Sequence, residues 1–317
     1  MATMMRLTIA STYDAAEGIR SFELVHADGT DLPAFAPGAH VQVLVPNGAT
    51  RKYSLCNDAA ERHRYVITVK REANGQGGSM SLIDQAHEGD VLMVSAPDNA
   101  FPLVESASKF IFIAGGIGIT PIISMIRTMG ELPPAPWKLF YLTRTPESTA
   151  FRDELAASPF ANNITIHHDE GDAVNALDLW PILENPSSGA HIYCCGPRGL
   201  MDAVRDMSGH WPHANVHFES FVEGGSVQSD DKPFAITLAS TGKLIEIPVG
   251  QTILSALRDA GFEVPSSCES GTCGTCRTGL ISGEVDHRDM VLMPEEMKDN
   301  IMICVSRAKA GELVLDL

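Results

Sequence analysis

The chain has 317 residues, 44% of them hydrophobic, and its 40 acidic against 23 basic side chains leave a net charge of −17. That length predicts two or three domains with enough apolar content for real cores, and the negative charge argues against binding a phosphate backbone. The start, Met1-Ala-Thr-Met-Met-Arg6, has no sustained apolar run and does not read as a signal peptide. The longest apolar stretch, 111–126, is broken by Gly115, Gly116, Gly118 and Pro121, too short and interrupted to span a bilayer. A soluble protein with no membrane and no nucleic-acid partner is expected. Cysteine is used seven times, and Cys56, Cys194 and Cys195 show no disulfide logic, which points to a reducing cytoplasm.

From the start of the chain, short apolar runs alternate with turns: 6–10, 19–25, 41–45, 52–56, 65–70 and 91–95. Runs at that spacing, bounded by Asp28-Gly29, Pro37-Gly38 and Asn47-Gly48, predict an antiparallel barrel or sandwich. Gly77-Gly78-Ser79 then leads into a short helix from Met80, with Ser79 as the expected N-cap. A glycine-rich approach to a helix N-terminus suits an anion, although many helices start after glycine with nothing bound. Arg51-Lys52-Tyr53-Ser54-Leu55 adds a cation, an aromatic face and a hydroxyl, a set suited to a phosphate and a planar ring or simply to an edge strand. R-x-Y-S-L after a P-G-x-H strand resembles the flavin signature of the ferredoxin–NADP reductase superfamily. The resemblance implies that Arg51 meets the flavin phosphate, Tyr53 packs on the isoalloxazine and Ser54 bonds near flavin N5. It also draws Lys52, the Val69-Lys70 strand end and the loop Gly77, Gly78, Ser79 and Met80 into the flavin site.

Beyond Pro102 the pattern becomes strand–helix alternation. The run 109–114 is continuously apolar, as a parallel strand covered on both faces should be. Gly115-Gly116-Ile-Gly118-Ile-Thr120-Pro121 follows, with Thr120 expected as N-cap and Pro121 in the first turn of a helix reaching Met129. Strand, glycine turn, helix is where a dinucleotide pyrophosphate sits in doubly wound folds. Further strands are expected at 138–143, 164–168, 191–195 and 216–219, with helices at 151–157 and 198–207. G-G-x-G-x-T-P resembles the pyridine-nucleotide domain of the same superfamily. That likeness implies contacts from Arg144 to the adenosine ribose and from Cys195-Gly196-Pro197 to the nicotinamide, with Cys195 the functional thiol and Cys194 strand packing. It also implies an approach of Phe221 to the flavin. His167-His168 lacks spaced partners for a metal and reads as a strand end.

The small polar run 224–231 has linker composition. Strands at 234–238 and 244–247 and a helix at 252–259 closed by Gly261 precede Cys268-x4-Cys273-x2-Cys276, with Cys304 standing alone downstream. Thiolates at that spacing suit iron–sulfur clusters, and Gly271 and Gly274 let backbone wrap closely around one. Structural zinc sites pair two short clips instead. The spacing and the element order resemble plant-type [2Fe–2S] ferredoxins of β-grasp fold, with Cys268, Cys273, Cys276 and Cys304 as ligands.

The multidomain reading is a flavin (FMN)-binding antiparallel β-barrel at 1–104, an α/β doubly wound NAD(P) domain at 105–224, a linker at 225–232 and an α+β ferredoxin domain at 233–317. Flavin, nicotinamide and ferredoxin in that order are similar to the phthalate dioxygenase reductase family. That family implies FMN rather than FAD, a [2Fe–2S] cluster, NADH with NADPH as the lesser choice, and a Rieske-type terminal oxygenase as partner. Alternatives are a reductase for a cytochrome P450, or an iron–sulfur binding protein without reductase turnover.

Overall fold

The computed structural model describes residues 4–73, 75–130, 133–221 and 230–317. Two compact units divide the chain, Met1–His217 and Phe218–Leu317. No helix among the described residues is long and apolar enough to cross a membrane.

Six strands open the first unit: β1 (Met4–Ala16), β2 (Ile19–Val25), β3 (His40–Leu44), β4 (Thr50–Ser54), β5 (Tyr65–Lys70) and β6 (Val91–Ser95), with α1 (Gly78–Gln85) set between β5 and β6. They form one sheet in the order β4-β3-β6-β1-β2-β5. The edges meet where Leu55 bridges Ile67 and the Cys56 N–H donates to the Val66 carbonyl at 2.8 Å, which closes a barrel. Inward residues such as Leu7, Phe22, Val41, Val43 and Ile67 fill it. β1 outruns the expected 6–10 because its first half pairs with β6 and its second with β2.

The α/β part follows: β7 (Lys109–Gly115), α2 (Ile119–Met129), β8 (Trp137–Thr143), α3 (Arg152–Ala157), β9 (Ile164–His168), α4 (Trp180–Leu183), β10 (Ala190–Cys195), α5 (Arg198–Met207) and β11 (Val216–Glu219). Sheet order is β11-β10-β7-β8-β9, and β10, β7, β8 and β9 run parallel. The chain leaves β7 to one side and returns to β10 on the other, so the order reverses there, and ligands of such sheets bind outside the carboxyl ends at that point. A single core joins the buried face of α2 to Ile19, Cys56 and Val66 of the barrel and to Phe101.

The second unit contains β12 (Phe234–Leu238), β13 (Leu244–Ile247), α6 (Ile253–Asp259), β14 (Arg277–Asp286), β15 (Asn300–Met302) and β16 (Arg307–Asp316). Its sheet is mixed, in the order β13-β12-β16-β14-β15, with β16 parallel to β12 and antiparallel to β14. α6 ends at Gly261 as the sequence suggests, with φ 86° there, but Thr252 precedes the helix as its cap, its Oγ1 accepting from the Ser255 N–H at 3.0 Å. β14 and β16 leave no clean alternation in the sequence: polar residues interrupt both and bulges break their register.

The expected linker lies mostly in 222–229, outside the described residues. Its far end is not free chain. The Asp231 side chain, 3% exposed, pairs with Arg288 (2.5 Å) and Arg307 (3.7 Å), and the Lys232 carbonyl accepts from Arg307 at 3.1 Å. Those partners come from more than 50 residues downstream, beyond any local pattern.

Candidate functional site

Three groups of residues carry the chemistry. The first is on β4 of the barrel. Strand alternation puts Arg51 and Tyr53 on one face and Lys52 on the other. Arg51 donates to the Thr50 carbonyl (2.7 Å) and Gln76 Oε1 (2.9 Å), and its stem lies over Gly78, where a Cβ would sit 2.7 Å from Arg51 Nε. A guanidinium is thereby brought to the start of α1. That start differs from expectation: Gly77, at φ 78°, occupies the cap position, and Ser79 is inside the helix with its hydroxyl taken by the Glu72 N–H at 3.1 Å. No side chain caps the first turn and no acidic residue lies in it. The helix N-terminus therefore keeps its partial positive charge for a ligand.

Tyr53 Oη and Ser54 Oγ are buried with no hydrogen-bond partner. Burial raises the Tyr53 hydroxyl to about 12, against the opposing charge of Arg51. Orphaned polar atoms in a protein interior are costly, and two at the end of one strand mark a place where a polar ligand completes the bonding. The residues fit a flavin. Val69 is different: its side chain is in the barrel core, so only its backbone is available to a ligand. Lys70 is exposed and pairs with Glu72 at 3.6 Å, and Met80 is partly buried.

The second group lies at the β7/β10 switch point. Gly116 takes φ 53°, and Gly116–Gly118 form a single 3-10 turn into α2. Gly118 and Gly115 serve close approach. A Cβ on Gly118 would sit 2.1 Å from the Cys195 carbonyl oxygen, and one on Gly115 would sit 2.6 Å from Pro197 Cδ and 3.3 Å from Gly196 Cα. The two predicted loops are thus packed backbone to backbone. Thr120 is a correction. The helix begins one residue before it, Gly118 is the cap, and Thr120 Oγ1 donates back to the Ile117 carbonyl at 3.0 Å. Pro121 stands in the first turn, as expected.

Cys194 and Cys195 are both fully buried, and burial pushes the Cys194 thiol up. Arg144, just past β8, is exposed, and Phe221, two residues past β11, is 40% exposed. His167 Nε2 is 2.6 Å from the Asn175 carbonyl oxygen and His168 Nδ1 is 2.9 Å from Thr143 Oγ1, so both histidines are spent on structure.

The third group is the thiol set of the second unit. Antiparallel pairing of Arg277 with Met302 and Thr278 with Ile301 sets Cys276, just before β14, beside Cys304, just after β15, with sulfurs 3.0 Å apart. Cys268 and Cys273 hydrogen-bond to each other across the intervening loop. That loop turns at Glu269 (φ 58°), Gly271 (φ 76°) and Gly274 (φ 82°), and Arg258 of α6 braces it through Glu269 at 2.9 Å. In each pair one thiol is drawn down and its partner pushed up. Cys268 falls to about 4 through its bond with Cys273, and Cys276 is lowered by its bond with Cys304.

Among the described residues no three His, Cys, Asp or Glu side chains converge on one ion. Two thiol pairs are what a two-iron cluster needs, whereas a single zinc needs one tetrahedral set. Cys268 and Cys273 are partly exposed, while Cys276 and Cys304 are at most 5% exposed. The donor set fits a [2Fe–2S] cluster presented at an edge of this unit.

The sequence matches the family described as "2Fe-2S iron-sulfur cluster binding domain" over residues 236–309 and that described as "Oxidoreductase NAD-binding domain" over 112–206. It is 57% identical to a phthalate 4,5-dioxygenase oxygenase reductase subunit of Pseudomonas putida, over 98% of this chain and 96% of that protein. A solved phthalate dioxygenase reductase, described as a modular structure for electron transfer from pyridine nucleotides to [2Fe–2S], superposes with a TM-score of 0.75. It is 54% identical, over 99% of this chain and 98% of that one. An intact self-sufficient cytochrome P450 monooxygenase matches 99% of this chain with 41% of its own length, at 32% identity and a TM-score of 0.73. The chain belongs to the phthalate dioxygenase reductase family and is an NAD(P)H-dependent flavin and [2Fe–2S] oxidoreductase.

Proposed function

We propose that this chain takes electrons from NADH and delivers them, by way of FMN and its [2Fe–2S] cluster, to a Rieske-type terminal oxygenase in the cytoplasm. The observation that carries the reading is the orphaned pair Tyr53 Oη and Ser54 Oγ beside Arg51 at the uncapped start of α1. A terminal phosphate dianion suits a guanidinium and free helix N–H groups together, which favours FMN. Flavin, when bound, supplies the conversion between a two-electron hydride donor and a one-electron cluster.

The remaining roles belong to the chain's own residues. Arg51, with Lys52, the strand end Val69-Lys70 and the loop Gly77–Met80, holds the flavin. Tyr53 covers its ring, and the Ser54 hydroxyl bonds its reacting edge. Gly115, Gly116, Gly118, Thr120 and Pro121 receive the dinucleotide pyrophosphate, Arg144 the adenosine, and Cys195-Gly196-Pro197 the nicotinamide side. Cys268 with Cys273 and Cys276 with Cys304 hold the irons. The working domains are 1–104, 105–224 and 233–317, joined across 225–232.

The test has two arms. Flavin released from the purified protein by acid is expected to run as FMN on chromatography, and NADH is expected to outperform NADPH in kcat/KM. In anaerobic mixtures the NADH-reduced protein is expected to bleach the Rieske centre of a phthalate-type dioxygenase. Bleaching of a cytochrome P450 haem instead would favour the second reading, which the likeness to the self-sufficient monooxygenase supports.

A further inference from the structure

α2 starts at one of these sites and reaches the other. Its N-terminus continues the Gly116–Gly118 turn. Its later residues grip the barrel immediately after the Arg51–Ser54 strand. Ser124 Oγ, fully buried, donates to the Asn57 carbonyl at 2.8 Å. Arg127 Nη1 donates to the Cys56 carbonyl at 2.6 Å, with Glu154 holding the guanidinium from the other side at 2.6 and 2.9 Å. Thr128 Oγ1 accepts from the Ala59 N–H at 3.0 Å.

The gripped segment cannot slide. Asn57 Oδ1 accepts from the Val66 N–H at 2.9 Å, and its Nδ2 donates to the Arg64 carbonyl at 3.1 Å. The same helix touches the turn that leads into β3. A Cβ at Gly38 would be 3.0 Å from Met125 Cε, and Gly38 lies two residues before His40, the cross-strand partner of Ser54. One stiff rod of 11 residues, about 16 Å long, therefore touches the chain on both strands at the His40–Ser54 end of the β3–β4 pair and carries the glycine loop.

We propose that α2 sets the spacing between the flavin strand and the nicotinamide loop, with Ser124 and Thr128 as positioning residues for hydride transfer. The proposal rests on the assignment of those two segments given above. Both hydroxyls bond to backbone of residues 57–59 and act on the site through that segment. The reaction moves a hydride, two electrons with one proton, from the dihydronicotinamide ring to the flavin. Reacting atoms must come within about 3.5 Å, and a misplacement of about 1 Å costs on the order of 100-fold.

The experiment uses the flavin- and cluster-loaded protein and the variants Ser124→Ala, Thr128→Val and Thr128→Ser. Stopped-flow mixing with NADH gives the limiting rate of flavin reduction and the NADH Kd, and amide hydrogen exchange reports on residues 56–59. Ser124→Ala and Thr128→Val are expected to lower the limiting rate at least tenfold, with Kd within twofold and faster exchange at 56–59. Thr128→Ser, which keeps the hydroxyl, is expected to match the parent. A limiting rate within twofold of the parent despite faster exchange would make α2 mere packing and overturn the proposal, as would unchanged exchange in both variants. If Ser124→Ala does not fold, the Thr128 pair decides the matter alone. Failure of the underlying site assignment shows separately, as full flavin retention in Arg51→Ala.

Discussion

The loop after β7 and the loop from Cys268 to Cys276 are both glycine-rich, and the glycines answer different constraints. At Gly118 the backbone is ordinary (φ −62°), and the hydrogen is needed because the Cys195 carbonyl presses against it. At Gly271 and Gly274 the backbone is left-handed, which an L side chain adopts only at a cost; the nearest atoms belong to the Val305 and Val291 side chains, with the Asp289 Cα at 3.2 Å from a Cβ on Gly271. The first loop is fixed by what two strands of one sheet bring together. The second is fixed by its own course around a cluster. Close approach resists repair by a second mutation, whereas a side-chain obstacle can be trimmed.

Removing a ligand of the cluster that the second loop encloses is the largest available perturbation. Cys304→Ala is expected to abolish the cluster's visible absorbance and NADH-driven cytochrome c reduction, with ferricyanide reduction retained. Survival of cytochrome c reduction would mean that electrons leave before the cluster. Gly118→Ala comes next, at about 3 kcal/mol or more, because its Cβ meets backbone that can yield only by separating β7 from β10. Thermal denaturation of the first unit and the NADH Kd are both expected to suffer. Gly271→Ala is expected to cost about 2 kcal/mol, part strain and part contact with Val305 at 2.7 Å. Adding Val305→Ala should recover part of the iron content in that variant, the share lost to contact rather than strain, while no trimming at Cys195 should rescue Gly118→Ala. Equal rescue at both sites would erase the distinction between the loops.

At both loops the glycine pattern is legible in the sequence, but the constraint that each glycine answers is not. The cysteine spacing and the Arg51–Ser54 run are local patterns, and local patterns survive translation into structure. The caps did not: Ser79 and Thr120 have suitable side chains, yet a left-handed Gly77 and a turn ending at Gly118 start the helices earlier. β14 and β16 lack clean alternation because bulges re-aim their side chains. The Asn57–Ser124 bond and the Asp231–Arg288 pair join residues more than 50 positions apart, and no periodicity records such a meeting.

The last expected effect, no larger than that of Gly271→Ala, is a pH dependence confined to the first unit. His217 stacks on Tyr193 with ring centroids 4.4 Å apart, and its Nε2 is 2.9 Å from His191 Nδ1. Burial, followed by the neighbouring His191 and His213, holds His217 down to about 4 from an ordinary 6.5. Its folded form favours the neutral ring, so its contribution is complete above pH 6.5. Below that the unfolded chain binds the proton first, and the contribution is lost as pH falls through about 4. With solvent screening at a partly exposed ring, the loss is on the order of 2 kcal/mol. The thermal midpoint of the first unit should therefore fall between pH 6.5 and 4, and His217→Phe, which keeps an aromatic ring against Tyr193, should flatten that limb. An unchanged slope in the variant would assign the acid sensitivity to other groups and leave the His191–His217 pair as packing alone.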